Sequence, residues 1–147
     1  MDNDTIKARA RSFIAALNAG DKETIEEMLA PDYVQHSEGV PESRDAFMVY
    51  VFSLIRAFPD GKFIIDDIIA EGDKVMLRWT YSGTNTGSWM GAPPTGRKVS
   101  FSGMDLWRYN EAGRLAEIWF VTDRLVLMQQ LGAMRQWGPK MPQAKAA

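Results

Sequence analysis

The sequence predicts one α+β domain, and three observations carry that prediction. Apolar residues recur with a helical period through the first 60 residues, the period switches to two-residue alternation after Gly61, and turn residues join the alternating stretches into hairpins. The expected architecture is a curved antiparallel sheet with the helices gathered on one face, leaving room for a cavity between them. With 147 residues, 46% hydrophobic, 24% charged and sixteen aromatic, the chain can build one sizeable core. We assign residues 1–135 to a single domain and 136–147 to a loose C-terminal tail.

Ile6, Ala10, Phe13, Ile14 and Leu17 form one buried helical stripe, closed by Asn18-Ala-Gly-Asp21. Asp21 can accept from the free amides of a second short helix carrying Ile25, Met28 and Leu29, which stops at Ala30-Pro31. A third helix carries Phe47, Tyr50, Val51, Leu54, Ile55 and Phe58 and ends at Pro59-Asp-Gly61, so three helices are expected before any strand. Lys62–Glu71 and Lys74–Tyr81 read as a hairpin across Glu71-Gly72-Asp73. Ser82–Gly96, with four Gly and two Pro, reads as a long loop. Lys98–Tyr109 and Arg114–Thr122 form a second hairpin across Asn110–Gly113, and Arg124–Leu131 a closing helix.

A net charge of -2 and the lack of a Lys/Arg cluster argue against a nucleic-acid footprint, which needs a concentrated positive face. The apolar runs are too short for a membrane span, and Met1-Asp-Asn-Asp lacks the basic start of a signal peptide, so a cytoplasmic protein is expected. Without cysteine there is no disulfide, thiolate nucleophile or Cys-ligated metal, and a single His excludes multi-His metal sites. Chemistry must rest on carboxylates, one imidazole, hydroxyls and amides.

Strict alternation from Leu115 puts Leu115, Glu117, Trp119, Val121 and Asp123 on one strand face, which delivers the Asp123 carboxylate beside an indole at the mouth of a pocket. Asp123 is equally suited to cap the closing helix. Asp105 alternates with Phe101, Gly103 and Trp107. It is either a second pocket carboxylate or a partner of Arg108 or Arg78, depending on the hairpin register and on any bulge at Gly113. His36, the only His, is the side chain poised near neutral pH, unless it is a solvated loop residue. Asp66-Asp67 should point to opposite sheet faces. Trp79, Tyr81, Trp89, Trp107 and Trp119, with Tyr50, Phe52 and Tyr33, are candidates either for core packing or for an aromatic cavity suited to a flat apolar ligand. Trp89, on a Gly/Pro-flanked loop, is placed to act as a lid. Because Ile118 and Phe120 oppose Trp119 and Val121, both sheet faces are apolar, and a homodimer through the outer face is expected.

Several spaced motifs go further: Phe58-Pro59-Asp60, Ile68–Asp73, Val75–Trp79, Gly87–Gly96, Phe101–Arg108, Glu117-Ile-Trp119, Asp123 and Gln129–Gly132. Together they resemble the SnoaL-like polyketide cyclases of the NTF2-like superfamily, over roughly Ala8 to Gly132. The resemblance implies an NTF2-like cone, usually dimeric, with a buried pocket and no cofactor. It implies that the carboxylate at Asp123 acts as acid and base in an intramolecular aldol ring closure on an apolar or aromatic carbonyl substrate, and that His36 stands at the pocket rim. Two other readings stay open. One is a non-catalytic binder of small hydrophobic ligands. The other is an epoxide-hydrolase-like enzyme, which needs an Asp/Arg/Asp arrangement around water.

Overall fold

The helical period of the first sixty residues produces three capped helices. In α1 (Asn3–Ala19), Asp2 accepts from the Thr5 amide at 2.8 Å, and Ile6, Ala10, Phe13, Ile14 and Leu17 are buried. Asp21 caps α2 (Lys22–Met28) through Thr24, and Ser43 caps α3 (Arg44–Ala57) through Ala46. α3 buries Phe47, Met48, Val51 and Leu54. This computed structural model describes residues 1–135, so the tail assigned to 136–147 lies outside the described residues.

One strand precedes the third helix, contrary to the sequence expectation. β1 (Leu29–His36) lies between α2 and α3 and pairs in parallel with β5 (Leu115–Thr122) at one edge of the sheet. Pro31 masks it, since a residue without an N–H is tolerated only where no ladder bond is required, as at a sheet edge. The other pairs are antiparallel. β2 (Lys62–Glu71), β3 (Lys74–Thr84) and β4 (Lys98–Tyr109) complete the order β1-β5-β4-β3-β2, and α4 (Arg124–Gln130) follows β5. The chain is thus an α+β fold with a curved five-stranded sheet over its N-terminal helices. The buried apolar side chains of helices and strands form one cluster, each large one contributing about 1.5–3 kcal/mol by leaving water.

A bulge decides which way β5 faces. Arg108 pairs with Glu117 but Tyr109 with Leu115, so Ala116 is one residue too many, and Leu115 and Ala116 are both buried. Beyond it Ile118, Phe120 and Thr122 face the interior, while Trp119 and Val121 lie 37% and 75% exposed on the outer face. A second bulge, in β2 between Ile65 and Asp67, brings both Asp66 and Asp67 to Arg78 at 3.7 and 2.6 Å instead of to opposite faces. Among the described residues no helix is long and apolar enough to cross a membrane.

Candidate active site

Between the sheet and helices α1, α3 and α4 lies a cavity of about 180 Å³. Phe13, Phe47, Tyr50 and Leu54 line it from the helices, Trp79, Phe101 and Trp107 from the sheet, and Trp89 and Met90 from the loop after β3. Among the described residues only two charged ones contribute to the wall, Asp105 and Arg124.

Asp105 reaches the cavity because β4 alternates without interruption through Phe101, Gly103, Asp105 and Trp107. The β5 bulge falls beyond Arg108, and so leaves this phase intact. Its Oδ1 accepts from Trp79 Nε1–H at 2.9 Å and its Oδ2 from Trp107 Nε1–H at 3.0 Å. Gly103 makes the first bond possible, since a Cβ there would run into the Trp79 ring. Burial pushes the Asp105 carboxyl up to about 6, with the two indole hydrogen bonds opposing the rise. The residue keeps some exposure because it borders a cavity, yet protein surrounds it on nearly every side. Each carboxylate oxygen has two acceptor sites and uses one to accept from an indole N–H, so each retains a lone pair.

Tyr50 lines the same cavity, and its hydroxyl forms no hydrogen bond among the described residues. Burial raises its pKa, so at neutral pH the phenol is a neutral donor.

Several other sequence candidates lie elsewhere. Asp123 is exposed and caps α4, accepting from the Val126 amide at 3.2 Å, and it does not line the cavity. The expectation of Asp123 at the pocket wall rested on unbroken alternation from Leu115, which the extra residue at Ala116 reverses. The same reversal carries Trp119 outward. There it stacks on His36, with centroids 5.1 Å apart and planes 18° from parallel. His36 Nε2 lies 2.9 Å from Glu117 Oε1, and Arg108 Nε–H donates to Glu117 Oε2 at 2.8 Å, so His36 belongs to an outer-face cluster rather than to the cavity rim. Hydrogen bonding from His36, assisted by Arg108, holds the Glu117 carboxyl below its ordinary range. Tyr33 is buried against Phe47 and outside the cavity wall. Tyr50, Trp79, Trp89 and Trp107 do line it.

Sequence reasoning missed Arg124. Its signal is the true β5 phase, since Ile118, Phe120 and Thr122 face inward and the same alternation runs on to Arg124. Among the described residues no three His, Asp or Glu side chains gather as a metal site.

Comparison with known proteins fits this geometry to a family. The SnoaL-like polyketide cyclase family matches residues 7–131. The chain belongs to that family. Among solved structures, AclR, a proposed hydroxylase from Streptomyces galilaeus, is 34% identical with a TM-score of 0.81, over 92% of this chain and 85% of its own. TsrD from Streptomyces laurentii is 29% identical at TM-score 0.81, over 91% and 99% of the two chains. IdmH, a proposed polyketide cyclase from Streptomyces antibioticus, is 30% identical at TM-score 0.74, over 86% and 98%. No curated protein matches in sequence. The family match over residues 7–131 takes in every strand of the sheet.

Proposed function

We propose that this SnoaL-like protein is a cofactor-independent enzyme that moves a proton next to a carbonyl in an apolar substrate, with intramolecular aldol ring closure as the reaction, and that Asp105 is its acid and base. The observation that carries the reading is a carboxylate held by two indole N–H groups in an otherwise apolar cavity. A base of this kind must combine proton affinity near the working pH with fixed aim. Desolvation supplies the first and Trp79 and Trp107 the second. Asp105 takes the role that the resemblance gives to Asp123, because it borders the cavity and Asp123 does not.

In the proposed cycle the ionised Asp105 removes a proton from the carbon beside a ketone, and the C–H electron pair becomes an enolate. The Tyr50 hydroxyl donates to the enolate oxygen, a contact that strengthens as charge develops there. The enolate carbon attacks a second carbonyl carbon in the same molecule. A C–C bond forms, the C=O π pair moves onto oxygen, and that oxygen takes the proton back from Asp105. The cavity is smaller than the ~300–1,000 Å³ usual for drug-sized ligands, so it suits one or two rings rather than a longer polycycle. We further propose that two copies pack through the outer sheet face, which exposes Ile64, Ile69, Met76, Met104, Trp119 and Val121.

The test uses 2-tetralone, a bicyclic ketone with exchangeable α-protons. The wild-type protein is expected to speed their exchange into D₂O, followed by NMR, and Asp105→Asn to lose on the order of a hundredfold of that rate. Equal exchange by wild type and Asp105→Asn would end the catalytic reading and leave a ligand-binding protein in its place.

A further inference from the structure

Among the described residues Arg124 is the one on the cavity wall that carries a positive charge, and the proposed proton transfer does not use it. Its guanidinium is fixed in place. Nη1–H donates to the Glu38 carbonyl at 2.6 Å and Nη2–H to Ser37 Oγ at 3.1 Å, which ties the segment after β1 to the start of α4. Two of five N–H donors are thereby used and three remain. None of the ion pairs among the described residues includes Arg124, so it faces the cavity without a carboxylate of its own. Gly39 and Val40, beside it, complete this part of the wall.

A guanidinium bordering an apolar space is matched by a planar anion that can accept two parallel N–H bonds. We propose that Arg124 selects a substrate with a carboxylate at one end, clamping it while the apolar rings fill the space toward Asp105. The proposal rests on the cavity being the substrate site. Tyr50 gives the arrangement a direction: it lines the same cavity wall as Arg124 and Asp105, and its phenol feels the two charges with opposite sign. A substrate spanning them would present its acid to Arg124, its ketone oxygen to Tyr50 and its acidic carbon to Asp105. The other reading of Arg124 is a tie for residues 37–40 only.

Two probes of one shape and different charge separate these roles, namely 2-naphthoate and neutral 2-naphthamide, titrated at pH 7.5 by quenching of tryptophan fluorescence. Wild type is expected to bind the naphthoate at least tenfold more tightly, Arg124→Gln to lose that preference while holding the amide within about twofold, and Arg124→Lys to regain part of it. Equal affinity for both probes in wild type overturns the proposal. So does a parallel loss of both in Arg124→Gln, which marks the residue as a tie. If neither probe binds, the cavity is not the ligand site and the inference falls with it. If Arg124→Gln erases the preference while Asp105→Asn leaves 2-tetralone exchange untouched, the carboxylate site stands and the catalytic reading fails.

Discussion

At Asp105 desolvation and hydrogen bonding act in opposite directions, and the upward shift to about 6 shows desolvation winning. The ionised form is the base, so kcat/KM should rise with pH through about 6 and level off above it. Trp79→Phe or Trp107→Phe removes one donor from the carboxylate, and either should move that inflection upward, which a pH–rate profile reads directly. Stability runs the other way. The folded-state value lies above the ordinary aspartate value of 3.8, so the folded protein keeps this proton where the unfolded chain has lost it. The contribution of Asp105 is therefore fully present below about pH 4 and declines, by on the order of 2–3 kcal/mol, as pH rises to 6 and beyond. Urea titrations of wild type and Asp105→Asn between pH 4 and 7 should differ by that slope. Asp123 makes the contrast: Asn caps about as well as Asp, so Asp123→Asn should leave both stability and turnover near wild type, while Ala costs about 0.5–2 kcal/mol. The sequence made Asp105 visible through its alternation with Phe101 and Trp107. It left the ranking of the two aspartates open, because one unpaired residue at Ala116 changes which of them meets the cavity.

Among the elements, the hairpin of β4 and β5 leaves no room for a side chain beside the Trp79–Asp105 bond. The Trp79 ring lies over Gly103, where a side chain would also meet the Val121 carbonyl. Gly103→Ala is expected to cost about 1–3 kcal/mol by overpacking, seen as a lower denaturation midpoint. It should also turn the Trp79 N–H away from Asp105 and alter the pH–rate inflection. The helices and four of the five strands were legible because their periods are long and clean, as at Phe47/Val51/Leu54 and Val75/Leu77/Trp79. β1 was not. Leu29–His36 is eight residues long with a Pro in it, and its partner β5 lies far along the chain, so no local pattern announces it.

At the scale of the whole molecule, the outer sheet face is the surface left to explain. The sequence argued for a dimer from Ile118 and Phe120, but both turn inward, and the apolar outer residues are Met104, Trp119, Val121 and their neighbours. Trp119→Asp is expected to yield monomers in sedimentation at micromolar concentration while the wild type sediments as a dimer. A second consequence lies in the order of synthesis. Among the described residues the edge strand β1 finds its only ladder partner in β5, with His36 in register with Trp119. On the ribosome, β1 must therefore wait for roughly 4–17 s of further elongation at 5–20 residues per second before it can pair with β5. For most of that interval Phe13 of α1 lacks Trp107 of β4, the indole it meets edge-on, and β1 has no strand beside it. Nascent chains stalled before Leu115 should therefore be cut rapidly by protease, and protection should appear only once Thr122 has left the exit tunnel.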